Sequence, residues 1–445
     1  MVLEGREAMT SEELRKAILN VFKSKSEEFI AGKSKVAVSK PVYDEKDAIG
    51  LIDTFSSRWL SMSEKVKTFE ERFSKFLGVK NSVAANSGSS ANLLALAALS
   101  CDDVPSKSRL KAGDEIITPA VTWATTCYPI FQVGAIPVFV DVDPETYCID
   151  PDEVEKAISP RTKAIFVVHL LGHPADMSRI MEIAHRHDLL VIEDSCEALG
   201  TKYRGKLVGT FGSLSTFSFF ETHHISTGEG GMVCTDNALY SILARSLRAF
   251  GRACTCPVCL THKQPPEPCP LRYKTDLAEL EGYDRRYIFT HIGYSLKMTE
   301  LQASLGITQL DKFDGFLEAR KRNAKYYTYK LKTYPYLQLP IEKPYAKHSW
   351  FMYPIVVRAE APFTKNQLVE CLEKNKIETR PIMAAMAFQP SLAHSPLKYR
   401  KIGKLPVAEN VKNNGFVIGC HPKITKAERA FVLEVMTDFF ESFKH

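Results

Sequence analysis

Apolar runs of strand length alternate with helical segments along the first three quarters of the chain. Strands are predicted at 115–119, 136–142, 164–169, 189–194 and 214–220, with helices such as 151–158 and 175–187 between them. This alternation is typical of a mainly parallel β-sheet with helices on both faces. Ligands of such sheets bind at the carboxyl ends of the strands.

The pattern changes beyond residue 320. A strand at 351–357, a helix at 364–374 and a last helix that begins near Thr425 predict a smaller α+β domain. A long amphipathic helix from 299 to about 331 would link it to the first domain. Capping-box spacing at Thr10 and Glu13 predicts an N-terminal helix. The predicted division is a helical arm at 1–44, a large α/β domain at 45–320 with a cysteine-rich insertion at 252–275, and a small domain at 321–445.

A glycine-rich turn between two apolar runs carries adjacent histidines, His223 and His224. The run 214–220 precedes the histidines, and Thr-Gly-Glu-Gly-Gly follows them at 227–231. Imidazole is well suited to proton transfer near neutral pH, and the glycines leave room for a ligand. The turn is therefore the first candidate for chemistry.

Further candidates lie at a predicted helix start and at predicted strand ends. They are Gly88, Ser89 and Ser90 before an Ala/Leu-rich helix, and Trp123, His169 and Asp194 after strands. Free backbone N–H groups at a helix start can bind a phosphate. Each candidate taken alone also fits a structural role, as a helix cap, a core aromatic or a satisfied core histidine.

Composition and charge narrow the function classes. The chain has 445 residues, of which 45% are hydrophobic and 25% charged, and a net charge of +6. Basic and acidic residues are interspersed, which argues against a nucleic-acid or membrane partner, and the cluster at 320–322 (Arg-Lys-Arg) is interpreted as a solvated helix face. There is no run of eighteen apolar residues, and the first residues are too charged for a signal peptide. We expect a cytoplasmic protein.

Four of the eleven cysteines fall within sixteen residues. They are Cys254, Cys256, Cys259 and Cys269. In a reducing compartment such a cluster is more typical of a metal or iron–sulfur site than of disulfides. Zinc is the competing interpretation, since four thiolates also suit it.

Several motifs in the same order resemble the DegT/DnrJ/EryC1/StrS family of sugar aminotransferases. The motifs are Ser-Gly-Ser-Ser at 87–90, Thr-Pro-Ala-Val-Thr-Trp at 118–123, His-Leu-Leu-Gly at 169–172, Glu-Asp at 193–194, Phe-Ser-Phe at 217–219, the glycine turn at 227–231, and Gly-Tyr-Ser-Leu-Lys-Met-Thr-Glu-Leu-Gln at 293–302. The resemblance implies the type I fold of pyridoxal-phosphate enzymes, with a large mainly parallel sheet domain and a small α+β C-terminal domain.

The resemblance also gives His223 a specific meaning. In members that transaminate, a lysine at this position binds the cofactor covalently, and imidazole cannot do so. One subgroup, the iron–sulfur sugar 3-dehydratases, combines this histidine with a C-x57-C-x-C pattern. Cys196, Cys254 and Cys256 match that spacing. The subgroup's fourth cysteine would fall at Gln264, which is not a cysteine. The run from Cys269 to Tyr283-Asp284 is close to the subgroup's own length, so Cys269 is the favoured fourth ligand and Cys259 the alternative.

The resemblance implies cofactors and roles. Pyridoxamine 5′-phosphate, or pyridoxal phosphate, would bind noncovalently and His223 would act as the base. Gly88, Ser89, Ser90 and Ser218 would surround the phosphate, Trp123 would stack on the ring, and Asp194 would pair with the pyridine nitrogen. His169 and Ser295 are also implied as cofactor-binding residues. At the position of Ser295 the family has an asparagine that reaches the partner subunit's phosphate. A [2Fe–2S] cluster on Cys196, Cys254, Cys256 and Cys269 would receive electrons from a flavin iron–sulfur reductase.

The implied reaction removes the C3 hydroxyl of a nucleotide-activated 4-keto-6-deoxyhexose in deoxysugar and lipopolysaccharide biosynthesis, in a homodimer. Two alternatives stay open. One is a cluster-free 3-dehydratase of the colitose type, and the other is a non-catalytic regulator that contains zinc. Segment 381–388 departs from the family's pattern, so the substrate contacts on it are not assigned.

Overall fold

The computed structural model describes residues 11–24, 28–262, 267–394 and 396–443. The helices are α1 Ser11–Ser24, α2 Glu45–Ser56, α3 Glu64–Leu77, α4 Gly88–Ser100, α5 Ala124–Gln132, α6 Pro151–Ala157, α7 Met177–Arg186, α8 Ala238–Arg248, α9 Glu300–Leu331, α10 Lys365–Lys374, α11 Pro390–Ala393, α12 Pro406–Asn414 and α13 Lys426–Glu441. Thr10 of the predicted capping box and Gln264 lie outside the described residues.

The strands are β1 Asn81–Ala85, β2 Glu115–Pro119, β3 Ile136–Val140, β4 Thr162–Val168, β5 Leu190–Asp194, β6 Lys202–Tyr203, β7 Lys206–Leu207, β8 Leu214–Ser218, β9 Gly231–Thr235, β10 Leu337–Gln338, β11 Ala346–Lys347, β12 Tyr353–Val357, β13 Arg400–Lys401 and β14 Gly415–Ile418. The strands predicted from the apolar runs are confirmed, with ends shifted by one or two residues.

A large sheet positions the candidate site. Its strand order is β1-β9-β8-β5-β4-β2-β3-β13. The six strands from β8 to β13 are parallel, and β9 runs antiparallel to both β8 and β1. Side chains along β4 and β5, such as Ile165, Phe166 and Val191, are buried, as expected for strands covered on both faces. The predicted α/β class is confirmed.

The C-terminal part forms a second, antiparallel sheet of β10, β12 and β14. Its core includes Tyr353, Phe416 and side chains of α10 and α13. The long helix α9 packs Phe313 against the core beneath the large sheet and Tyr327 against the core of the small sheet. β13 pairs with β3 and so joins the large sheet, although it lies within the predicted small domain. The predicted domain division stays a prediction.

Candidate active site and cysteine pocket

The ends of β5 and β8 meet the start of α4 at one edge of the large sheet, and this place is called the crevice below. A Cβ atom at Gly88 would lie 2.5 Å from the Cβ of Ser218 and 3.2 Å from the Sγ of Cys196. Those distances leave no room for a side chain, so glycine is required for the close approach of α4 to the strand ends. The structure thus brings the predicted residues Gly88, Asp194, Cys196 and Ser218 together at the carboxyl edge of the sheet.

Asp194 is the buried carboxylate of this crevice. Its Oδ2 accepts hydrogen bonds from Asn92 Nδ2 at 2.9 Å and Thr126 Oγ1 at 2.8 Å, and its Oδ1 accepts from the Cys196 amide at 3.1 Å. Among the described residues, no cationic side chain forms an ion pair with Asp194. The sequence reasoning missed Asn92 and Thr126, because they reach Asp194 from helices far away in sequence.

The start of α4 is the predicted phosphate-binding site. Ser87 caps the helix, since its Oγ accepts a hydrogen bond from the Ser90 amide at 3.0 Å. Ser89 Oγ donates to Thr125 Oγ1 at 2.7 Å, which ties α4 to the start of α5. The remaining N–H groups and the helix dipole favour an anion here.

The other predicted cofactor residues have different surroundings. His169 is 0% exposed, its Nε2 donates to Glu193 Oε2 at 3.1 Å, and its Nδ1 accepts from the Ala175 amide at 3.1 Å. Both ring nitrogens are therefore engaged within the protein. Trp123, at the start of α5, is 60% exposed. Ser295 is exposed, and its hydroxyl accepts a hydrogen bond from Lys297 Nζ at 3.2 Å.

His223 lies in the turn that follows β8. Its ring centroid is 4.9 Å from that of Phe351, and its Nδ1 is buried without a hydrogen-bond partner. Burial and, second, the positive charge of Arg320 hold the pKa of His223 well below the usual value. The ring is thus neutral at physiological pH. His224 is buried, and its Nε2 donates to the Ser349 carbonyl at 3.1 Å, which indicates a structural role.

The interpretation of 320–322 as a solvated face is wrong for Arg320, which is only 2% exposed. Arg320 contacts backbone carbonyls around His223. A signal for its burial is present in the sequence. The residues four and seven positions away along the helix, on either side, are apolar and lie on the same face. They are Phe313, Phe316, Ala324 and Tyr327, and all four are buried.

Glu197 is a further buried acid that the sequence reasoning missed. It follows Asp194 by three residues, and its Oε2 accepts a hydrogen bond from the Leu171 amide at 2.8 Å. Burial, with the nearby charge of Asp194, raises the pKa of Glu197 to about 8. Leu171 has a left-handed backbone with φ of 53°, a conformation that this hydrogen bond helps to hold.

A pocket in the cysteine-rich segment gathers all four clustered cysteines. Cys254, Cys256, Cys259 and Cys269 line it together with Arg272, Arg285 and Arg286. Cys196 does not line this pocket and lies beside Asp194 instead. Within the described ranges, no group of three or more His, Cys, Asp or Glu side chains has an arrangement that could hold a metal ion. The structure therefore brings together three of the four predicted ligands, and adds Cys259.

Comparisons with known proteins identify the family of the chain. Residues 42–437 match the profile of the DegT/DnrJ/EryC1/StrS aminotransferase family. The chain belongs to this family. The resemblance seen in the motifs is thereby confirmed, and with it the type I fold of pyridoxal-phosphate enzymes.

Curated relatives of this family member include sugar 3-dehydratases. The chain is 39% identical to a dTDP-4-dehydro-2,6-dideoxy-D-glucose 3-dehydratase of Saccharopolyspora spinosa, over 92% of this chain and 88% of the relative. It is 37% identical to the lipopolysaccharide biosynthesis protein RfbH of Salmonella typhimurium, over 97% and 99% of the two chains. The relatives also include aminotransferase-type enzymes such as a GDP-perosamine synthase of Caulobacter vibrioides, at 33% identity over 88% of this chain and 95% of the relative.

The solved structures similar to this family member include the GDP-4-keto-6-deoxy-D-mannose-3-dehydratase of E. coli with bound hydrated pyridoxal phosphate. The TM-score is 0.79 at 34% identity, covering 90% of this chain and 99% of that one. No described helix of this chain has the length and apolar character needed to span a membrane.

Proposed function

We propose that the chain is a nucleotide-sugar 3-dehydratase that uses pyridoxamine 5′-phosphate, or pyridoxal phosphate, without a covalent link to the protein. The substrate class is a nucleotide-activated 4-keto-6-deoxyhexose of deoxysugar biosynthesis, with lipopolysaccharide as the expected destination. The observation that carries the proposal is His223, a neutral imidazole in the turn after β8, at the position where aminotransferases of this family have lysine.

The crevice fits the phosphorylated pyridine ring. Asp194 is buried, receives hydrogen bonds only from neutral donors, and forms no ion pair with a described side chain. A protonated pyridine nitrogen would supply the missing positive partner. The tight cradle of Gly88 and Ser218, beside the N–H groups at the start of α4, suits the phosphate. When bound as pyridoxamine 5′-phosphate, the cofactor would supply an amine that can condense with the ketone of the sugar and a ring that can accept electron density.

The residues of the chain would then hold the cofactor and move one proton. Asp194 would keep the ring protonated, and the α4 start with Ser89, Ser90 and Ser218 would fix the phosphate. His223 would accept a proton from the cofactor methylene. General base catalysis of this kind contributes about 10²–10⁴-fold to a rate.

The proposed reaction has a direct test with two defined sugar nucleotides. Purified protein loaded with pyridoxamine 5′-phosphate is incubated with GDP-4-keto-6-deoxy-D-mannose or dTDP-4-dehydro-2,6-dideoxy-D-glucose, with and without a chemical reductant. Mass spectrometry is expected to show a product that has lost the C3 oxygen from at least one of them. A product that instead carries a new amino group would assign the chain to the aminotransferases and contradict the proposal.

The finer hypothesis is a [2Fe–2S] cluster supplied with electrons by a flavin iron–sulfur reductase. Its support is the sequence spacing of Cys196, Cys254 and Cys256 together with the cysteine pocket, whose thiols are the donors that iron–sulfur clusters use. Neither set fits as the structure stands, because no group of three or more described His, Cys, Asp or Glu side chains is arranged to hold a metal ion, and Cys196 lies outside the pocket. A cluster would require the cysteine-rich segment to move towards Cys196, or to rearrange so that Cys259 replaces Cys196 as the fourth ligand.

Iron and zinc analysis of anaerobically purified variants separates these possibilities. If the predicted set is right, Cys196→Ser and Cys269→Ser each lose the iron and Cys259→Ser keeps it. If the pocket set is right, Cys259→Ser loses the iron and Cys196→Ser keeps it. Cys371→Ser is the control, because Cys371 lies on helix α10, which packs on the small sheet. Wild-type protein that turns over without iron would support a cluster-free dehydratase. Wild-type protein that contains stoichiometric zinc and shows no turnover would support a non-catalytic regulator.

We also propose a cytoplasmic homodimer. The support is the family resemblance, in which Ser295 replaces an asparagine that contacts the partner subunit's phosphate. Light scattering on the purified protein is expected to give twice the chain mass, and a monomer with full turnover would contradict this assembly.

A further inference from the structure

Among the described residues two arginines are fully buried, and they differ in how their charge is balanced. Arg248 forms an ion pair with Glu70, with an Nη1–Oε1 distance of 2.6 Å. Arg320 forms no ion pair with any side chain that the structure describes. A buried charge without a counter-charge is costly and rarely kept without a function. The unpaired charge of Arg320 therefore calls for an explanation.

The contacts of Arg320 all go to main-chain carbonyls. Nη1 donates to Phe351 O at 2.7 Å and to Trp350 O at 3.3 Å, and Nη2 donates to His223 O at 3.3 Å. Its Nε is buried without a partner. One guanidinium thus joins the turn that carries His223 to the segment whose Phe351 ring packs on the imidazole of His223.

The second segment is itself held in an uncommon conformation. Trp350 has a φ of 56°, in the left-handed region. The Phe351 amide donates to Leu171 O at 2.9 Å, and the Ser349 amide donates to Gly172 O at 3.0 Å. These bonds anchor the segment beside the large sheet, and the carbonyl contacts of Arg320 tie the turn of His223 to this anchored segment and its Phe351 ring.

The charged and titratable groups around His223 are few. Arg320 lies beneath the turn, His224 is adjacent, and Glu221 lies two residues earlier. His348 faces His224, and the Cys420 thiol donates to the main-chain O of Arg320 at 3.3 Å. Arg320 is the only permanent cation among them, and a cation disfavours a second positive charge on the imidazole.

We propose that Arg320 is a positioning residue for His223, which it holds in place through three carbonyl contacts and keeps in the neutral, proton-accepting form through its unpaired charge. The inference rests on the proposed role of His223. The proton that His223 takes from the cofactor methylene is passed to the departing C3 hydroxyl, which leaves as water. The repulsion from Arg320 favours this second transfer, and the imidazole returns to its neutral form.

Histidine-selective NMR of the free protein tests the charge effect without any turnover. The ring signals of ¹³C-labelled histidine are followed from pH 8 to pH 3, as far as the protein stays folded, and the His223→Asn variant identifies the His223 signal. In the wild type His223 is expected to stay neutral down to about pH 4, because its pKa is about 3, well below the ordinary value of about 6.5. In Arg320→Met its titration is expected to shift upwards by about one pH unit or more. Arg322→Met, an exposed neighbour on the same helix, is the control.

The Arg320→Lys variant separates the effect of the positive charge from the effect of the hydrogen bonds to the carbonyls. Lysine keeps the charge but lacks the planar fork that reaches three carbonyls, so His223 is expected to stay neutral while kcat falls about tenfold with little change in KM. A wild-type His223 that titrates near 6.5, or a folded Arg320→Met whose His223 titrates as in the wild type, would overturn the charge effect. If Arg320→Met does not fold, Arg320→Gln, which also removes the charge but keeps a hydrogen-bond donor, takes its place in the titration. Unchanged turnover in His223→Asn would remove the proposed function without altering the titration result.

Discussion

The crevice around Asp194 is formed where β5, β8 and α4 meet, whereas the cysteine pocket is formed by a segment whose regular structure consists of short 3₁₀ turns. The crevice residues are fixed by a sheet that is buried on both faces. The pocket depends on a few polar contacts, such as those of Arg272 and Arg286 with Asp284 at 2.9 and 2.6 Å. The first site is therefore prearranged by the core, and the second takes its shape from local loop contacts.

The strongest expected effect on cofactor affinity at the prearranged site comes from Asp194→Asn. The change removes the charge that would pair with the pyridine nitrogen but keeps the shape, so we expect a loss of about 2 kcal/mol, or roughly thirtyfold in cofactor affinity. Absorbance titration with pyridoxal phosphate measures it. Asp188→Asn, a surface change, is the control. Equal affinities in Asp194→Asn and the wild type would show that Asp194 does not bind the cofactor.

Gly88→Ala tests the close packing of the crevice. The added Cβ would meet Ser218 at 2.5 Å, and overpacking of this kind costs about 1–3 kcal/mol of unfolding free energy. Gly315→Ala on α9 is the matched control, because nothing lies within 4 Å of its added Cβ and alanine favours a helix by up to about 1 kcal/mol. Urea unfolding compares the two variants, and the crevice would not be tightly packed if both responded alike.

The smallest effect concerns pH and a group of five histidines whose pKa values are lowered by burial. Burial lowers the pKa of each of His173, His223, His224, His348 and His421. Below about pH 6.5 the unfolded chain binds protons that the folded chain does not, so stability falls as pH decreases towards the folded values. Glu197, with its raised pKa, acts in the opposite direction between 4.5 and about 8.

His224→Gln removes one of these groups. The loss of unfolding free energy between pH 6.5 and 5.5 is expected to shrink by about 1 kcal/mol relative to the wild type. Urea unfolding at the two pH values measures it. A variant that loses as much stability as the wild type over this interval would show that His224 is not kept neutral by burial.

The comparison also explains what could be predicted from the sequence. The strands, the start of α4 at Gly88 and the position of Asp194 at a strand end follow from local patterns of apolar and capping residues. The partners Asn92 and Thr126 do not, because the packing of α4 and α5 on the sheet decides which polar side chains reach Asp194. Arg320 could have been found, since its neighbours at helical spacing are apolar.

The cysteine pocket was predicted only in part. The sequence indicated a cysteine-rich insertion, and the structure gathers Cys254, Cys256, Cys259 and Cys269 in one pocket. The number of residues between Cys196 and Cys254 does not determine whether Cys196 reaches the pocket. The segment that forms the pocket has no long helices or strands, so no repeating sequence pattern predicts its path. The fourth ligand of the predicted cluster stays a prediction.

Turnover of the His223→Asn variant tests the central claim most directly. The variant is loaded with pyridoxamine 5′-phosphate and compared with the wild type and with His394→Asn, a change at an exposed histidine, using whichever sugar nucleotide the wild type deoxygenates. Loss of the general base is expected to lower kcat by at least about 100-fold, while the affinity for the cofactor stays nearly unchanged and His394→Asn behaves as the wild type. Undiminished removal of the C3 oxygen by His223→Asn would contradict the assignment of His223 as the base that replaces the missing lysine.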